Sequence, residues 1–400
     1  MAFENIKYSL RNIKKRKSRS FLTVLSIFIG IATIFIFISF GLGLYSYINN
    51  IATGSSADKI IIQGKTSSAP GLDSSFQLTD QDLRAIKSAG GVYDATGVYF
   101  KVAAVKSQNK LIYSFLISID PEKPMMFEVG GVSIFEGRNL QKSDKGKVVL
   151  GYSYSVDNKI FPKALKLNDK INVNGQDLRI VGFLNEMGNP QDDSQIYINN
   201  DYFNTLYPGN NSYGYIIAKI DLNNVASTVA KVEDVLRNER GEKKGKEDFF
   251  VQSFEDLIKS YASALNIVIG FIIFIALISV LVSAINTANT MITSVLERYK
   301  EIGIIKSIGA KNSVIFSIFF FESAFLGFLA GVIGVLLGYG ATSLAGAILA
   351  NLGWSFLKPL YSFWLFAGCI LFATVTGAIS GVLPAVRASQ INPVDALRYE

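Results

Sequence analysis

The sequence predicts a membrane protein: four transmembrane α-helices, with a large extracytoplasmic mixed α+β domain between the first and the second. Three observations lead there. Half of the 400 residues are apolar, 29 of them Phe, a balance typical of chains that live in a bilayer. Four stretches, 20–57, 260–296, 323–357 and 359–386, contain no Asp, Glu, Lys or Arg, and each exceeds the roughly 20 residues needed to cross a hydrocarbon core. Basic residues collect in two places, with seven Lys or Arg against one acid in residues 1–20 and four against two in 297–311, while 58–259 holds 25 basic and 26 acidic residues.

The spans are placed at 21–44, 264–290, 314–340 and 361–383. The first apolar run, 24 residues long, exceeds the h-region of a secretory signal and is read as an uncleaved anchor. Basic loops stay on the cytoplasmic side. The basic N-terminal helix at 1–20, the loop at 297–313 and the tail at 384–400 are therefore expected inside. The intervening region 45–263 is expected outside. Because basicity follows membrane sidedness, it lends no support to nucleic acid binding.

The outer region reads as mixed α+β. Strands are expected at 58–63, 97–106, 111–119, 147–151, 170–174, 177–184, 195–198, 213–220 and 249–252, and helices at 79–89 and 223–238. Thr79 and Asp82 form a capping-box signature, and Asn174-Gly175 is a hairpin turn. Ser253 opens a helix that runs into the second span. The uncharged run 260–296, as one helix, would measure about 55 Å. It is either a rod reaching beyond the bilayer or a tilted helix with frayed ends.

Chemistry is sparse. There is no His and one Cys, Cys369. His-based triads and most catalytic zinc sites are thereby excluded, and no catalytic or metal-binding residue is assigned. Gly64-Lys65-Thr66 ends like a P-loop, but Lys59 stands where the motif needs its first glycine. No bound cofactor is expected in this chain. Glu322 is the one acid in the third span, 314–340, read as a structural hydrogen-bonding group in preference to a proton relay. Gly327, Gly331, Gly334, Gly338, Gly377 and Gly381 stand at small-xxx-small spacing, suited to close helix packing within one chain or between two.

The most informative stretch is ERYKEIGIIKSIGAKNS at 297–313. In a helix, Ile304, Ile305 and Ile308 share a face, Gly303 permits close approach, and Gly309 is placed to end the helix. Periodicity allows either a turn lying on the inner leaflet or a knob that docks in a groove of a cytoplasmic protein.

The run Glu297-Arg298-x-x-Glu301-Ile302-Gly303-Ile304-x-Lys306-x-Ile308-Gly309-Ala310 resembles the E-R-x-x-E-I-G-I-x-K/R-x-I/L-G-A signature of MacB/FtsX-type ABC transporter permeases. The ending PAVRASQINPVDALRYE resembles that family's C-terminus, and patches at 135–138, 147–151 and 179–183 are similar too. The resemblance implies a coupling helix whose contacts with an ABC ATPase subunit are Glu297, Arg298, Glu301, Ile302, Gly303, Ile304, Ile305, Lys306, Ile308, Gly309 and Ala310. Many relatives carry a basic residue where Ile305 stands.

It further implies that ATP and Mg are bound by a separate ATPase, that the permease works as a homodimer, and that an extracytoplasmic adaptor or lipoprotein joins it, with membrane lipids around the spans. The outer domain is expected as a discontinuous α/β lobe, 58–125 and 213–258, interrupted by a smaller lobe at 126–212. The function implied is transmission of ATP-driven motion outward for export or extraction of a substrate. The alternative is an FtsX-like regulator of an extracellular cell-wall hydrolase. A free-standing membrane enzyme is disfavoured by the missing His and Cys chemistry.

Overall fold

The computed structural model describes residues 17–52, 57–65, 76–209 and 212–398. Most of the basic segment 1–20, residues 66–75 and the last two residues lie outside these. In chain order the elements are α1 (Lys17–Ala52), β1 (Lys59–Gly64), α2 (Asp80–Ser88), β2 (Val92–Val98), β3 (Phe100–Ser107), β4 (Lys110–Ile119), α3 (Met125–Gly130), β5 (Ile134–Gly137) and β6 (Lys147–Leu150). They continue with β7 (Lys170–Val173), β8 (Gln176–Leu184), β9 (Ile196–Asn199), α4 (Asn200–Leu206), β10 (Tyr215–Ile220), α5 (Val225–Arg240) and β11 (Phe249–Ser253). The chain ends with α6 (Phe254–Glu297), α7 (Tyr299–Ser307), α8 (Asn312–Asn351), α9 (Phe363–Ser389) and α10 (Pro393–Arg398).

Four of these helices, α1, α6, α8 and α9, are long and apolar enough to cross a membrane. The mixed α/β domain stands between the first and the second of them. α6 is a single helix of 44 residues, its first turn capped by Ser253, whose Oγ accepts from the Asp256 amide at 3.0 Å.

The chain forms two compact units. One comprises Tyr45–Ser263 with Leu349–Phe356, and the other Met1–Leu44, Ala264–Ile348 and Leu357–Glu400.

The first unit contains two sheets. A four-stranded antiparallel sheet has the order β11-β1-β10-β2. Here α2 starts at a true capping box, with Thr79 and Asp82 exchanging hydrogen bonds. A seven-stranded sheet has the order β5-β8-β6-β9-β4-β3-β7, and β8 also pairs with β7. Six strands therefore close into a ring, with β5 added outside. The N-terminal half of β8 pairs with β7 and its C-terminal half with β6 and β5. Ala103, Val105, Leu116, Val148, Ile171, Ile180 and Ile196, all fully buried, fill the interior.

This topology moves a boundary. The smaller lobe was expected to begin at 126, but β3 and β4 already belong to the seven-stranded sheet, because β4 pairs with β9 and β3 with β7. The strand read as 97–106 breaks at Tyr99, where the chain changes sheets. The Tyr99 amide donates to Ser118 Oγ at 2.8 Å, and its ring stacks on Phe203 at 4.7 Å.

Asp144 secures the turn before β6. Its side chain is 1 % exposed and accepts two hydrogen bonds from the Arg138 guanidinium, at 2.6 and 3.0 Å, one from Lys147 at 2.7 Å and one from the Gln141 amide at 3.0 Å. The Arg138 guanidinium, helped by Lys147, holds its carboxyl well below the usual range.

In the second unit, glycines set how closely the helices approach. A Cβ on Gly327 would lie 2.5 Å from the Ala373 carbonyl oxygen, and one on Gly377 would lie 2.7 Å from that of Ser323. Gly331 meets Ile370 and Ala373, and Gly381 meets Ser323. These positions pack α8 against α9. Gly334 and Gly338 meet Phe28, Ile31 and Phe35, packing α8 against α1. All six approaches lie within one chain.

Replacing Asp144 by Asn removes charge-assisted bonds and is expected to cost about 2 kcal/mol. Faster amide exchange in β6 and β8 of the full chain would register it. A depressed carboxylate contributes fully above its unfolded pKa of about 4 and loses that contribution as pH falls through the folded value. Wild-type protection factors in these strands, exchange rates taken relative to the intrinsic amide rate at each pH, should therefore fall below about pH 4, and this step should be absent from Asp144→Asn.

Candidate functional site

The segment 297–313 forms a helix–break–helix device. α6 ends at Glu297, and Arg298, with φ −107° and ψ 15°, interrupts the helix before α7. At the far end the Gly309 amide donates to the Lys306 carbonyl at 3.0 Å and the Ala310 amide to that of Ile305 at 3.3 Å. Gly309 has φ +102°, so this is a Schellman closure in which glycine takes the left-handed position.

One face of α7 is committed inward. Ile302 is 2 % exposed and packs with Met291, Val295, Ile315, Phe319 and Ala385. Gly303 lies so near α10 that a Cβ there would come within 2.5 Å of the Ala396 Cβ. Lys306 Nζ donates to the carbonyls of Ser389, at 2.9 Å, and Ile391, at 2.6 Å. It thus satisfies carbonyls at and just beyond the end of α9, which the helix itself cannot pair.

Arg298 is buried. Its guanidinium donates to Glu322 on α8 at 3.4 Å and to Glu301 at 3.3 Å, and lies over the Phe319 ring at 5.2 Å. Glu322, also buried, is therefore a counter-charge. Arg298 and Glu322 each stand twelve residues from Ala310, so a reversal there brings them to one level. That symmetry was the signal in the sequence that could have paired them.

The opposite face is open. Lys300, Glu301, Ile304, Ser307 and Ile308 are exposed, a stripe at i, i+1, i+4, i+7 and i+8. Ile308 is 81 % exposed and Ile304 49 %. Glu297 and Gly309 are exposed beside it, and Ala310 is half-buried. Ile305 leaves the face expected of it, turning half-buried toward the inner cluster. The eleven residues therefore divide. Arg298, Ile302, Gly303 and Lys306 face the spans, and Glu297, Glu301, Ile304, Ile308 and Gly309 face outward. Among the described residues no cluster of three potential metal ligands converges.

Residues 20–236 match the MacB-like periplasmic core domain and residues 273–393 the FtsX-like permease C-terminal domain. The chain belongs to the MacB/FtsX-type ABC transporter permeases. An ABC transporter permease of Methanocaldococcus jannaschii is 31 % identical over 99 % of this chain and 98 % of its own length. A macrolide export ATP-binding/permease protein MacB from a Shewanella strain is 27 % identical over 99 % of this chain, which spans 61 % of that protein. The periplasmic region of MacB from Actinobacillus actinomycetemcomitans, 19 % identical, gives a TM-score of 0.43 over 54 % of this chain and 97 % of that one. Membership makes this a multi-pass membrane permease and implies an ATPase partner.

Gly303→Val would force α10 away from α7 and detach the tail from the permease. Cleavage by added protease near Arg398 should become markedly faster in that variant than in wild type, with the membrane helices equally protected in both.

Proposed function

We propose that the chain transmits ATP-driven motion from a separate ATPase subunit, through α7, to its extracytoplasmic domain, for export or extraction of a substrate. The observation that carries this is the division of α7. One face is tied to α8 by Arg298–Glu322, to α9 by Lys306 and to α10 by Gly303. The other presents two isoleucines among charges. A helix anchored on one side and open on the other can receive a push and pass it to the spans without losing it to local rearrangement.

On this reading ATP and Mg belong to the ATPase, and two copies of the permease serve a pair of ATPases. An extracytoplasmic adaptor or lipoprotein completes the path. α7 and both termini stand on the cytoplasmic side, in line with the basic residues at each. The contact narrows to the outward residues Lys300, Glu301, Ile304, Ser307 and Ile308. Lys306 and Arg298, expected as contacts, become positioning residues that hold α7 to the spans.

Ile308→Asp tests the docking face without touching the packed one. Losing a buried isoleucine costs about 1.5–3 kcal/mol, so retention of the co-expressed ATPase on the affinity-purified permease should fall at least about tenfold, while membrane insertion stays normal. Undiminished retention and undiminished ATP hydrolysis in the complex would remove α7 as the contact.

A further inference from the structure

A cleft of about 320 Å³ opens in the second unit between the ends of α6 and α9, lined by Ile292, Val295, Leu296, Tyr299, Pro384, Arg387 and Ile391. Its lining mixes two kinds of residue. Ile292, Val295, Leu296, Pro384 and Ile391 make an apolar wall. Tyr299 and Arg387 supply the polar groups.

Its level is set by the sequence itself. Leu296 is the last residue of the uncharged run 260–296, and Arg387 is the first charge after the uncharged run 359–386. Both runs end at this cleft, so it straddles the boundary where acyl chains give way to headgroups. Arg387 is exposed. Unlike Arg298 nearby in sequence to the same cleft, it has no carboxylate within ion-pair distance among the described residues.

An apolar slot with one guanidinium in its lining at headgroup height suits an amphiphile with an anionic head. We propose that the cleft holds an anionic phospholipid of the leaflet bordering α7, with its phosphate on Arg387 and an acyl chain along Ile292, Val295 and Pro384. The lipid would wedge between the ends of α6 and α9 beside the first turn of α7. Local anionic lipid would then bear on the two helices that α7 joins and abuts. The inference stands independently of the ATPase contact, since it concerns a face of the permease other than the Ile304–Ile308 stripe.

Native mass spectrometry of the full chain tests it, using mild detergent with equal phosphatidylglycerol and phosphatidylcholine. Wild type should retain phosphatidylglycerol preferentially. Arg387→Gln should lower that retention roughly fivefold, matching about 1 kcal/mol per basic group at a membrane surface, and Arg387→Lys should restore most of it. Leu296→Trp keeps the charge and fills the slot, and should lower retention as well. Equal retention of the two lipids by wild type, or no change in Arg387→Gln, would overturn the proposal. So would full displacement by inorganic phosphate, which would reduce the site to a bare oxyanion contact, or unchanged binding in Leu296→Trp, which would leave the slot unused.

Discussion

A guanidinium buried beneath the end of a membrane helix has to be neutralised, and this requirement organises the inner end of the permease. Arg298 sits where α6 stops, almost fully enclosed, and Glu322 is the only carboxylate within the span 314–340. Breaking a buried ion pair by removing one partner generally costs about 3–5 kcal/mol, and here Glu301 also accepts from Arg298. The pair therefore fixes the level at which α8 must stand against the α6–α7 break. Once that is fixed, Ile302 falls into the cluster with Ile315 and Phe319, Lys306 reaches the free carbonyls after α9, and Gly303 meets Ala396. The outward stripe on α7 is what remains after these commitments.

Glycine does for the spans what the ion pair does for the break. Gly327 and Gly377 face each other across α8 and α9, and a side chain at either would collide with backbone. Without a hydrophobic drive between helices in lipid, such close backbone approach is the chief source of attraction. In the other unit the same role of fixed geometry falls to Tyr99, where one strand passes from the four-stranded sheet to the closed ring.

Much of this was legible in the sequence, and the reason is physical. Spans show themselves because a single charge in lipid is costly, so each uncharged run falls largely within one of α1, α6, α8 and α9, although α8 starts eleven residues before its run and carries Glu322. Local devices were legible too. Thr79 and Asp82 cap α2, Asn174 and Gly175 turn β7 into β8 with positive φ at both residues, and Gly309 ends α7. What was not legible depends on partners distant along the chain. The pairing of β4 with β9 joins Leu116 to Ile196, and no local pattern announces it. Lys306 looked like a surface contact because its acceptors, Ser389 and Ile391, lie more than eighty residues away. Ile305 looked equivalent to Ile304 and Ile308 until packing separated them.

The central claim is that α7 moves as one body with the end of α9, through Lys306 and the carbonyls it holds. Pulsed electron resonance between spin labels at Ser307 and Gln390, both exposed, measures this in a Cys369→Ser background within the permease–ATPase complex. The account predicts one narrow distance distribution, the same in nucleotide-free and ATP-bound states. A distribution that shifts or splits when ATP binds would show the helix sliding against the span, and would contradict it.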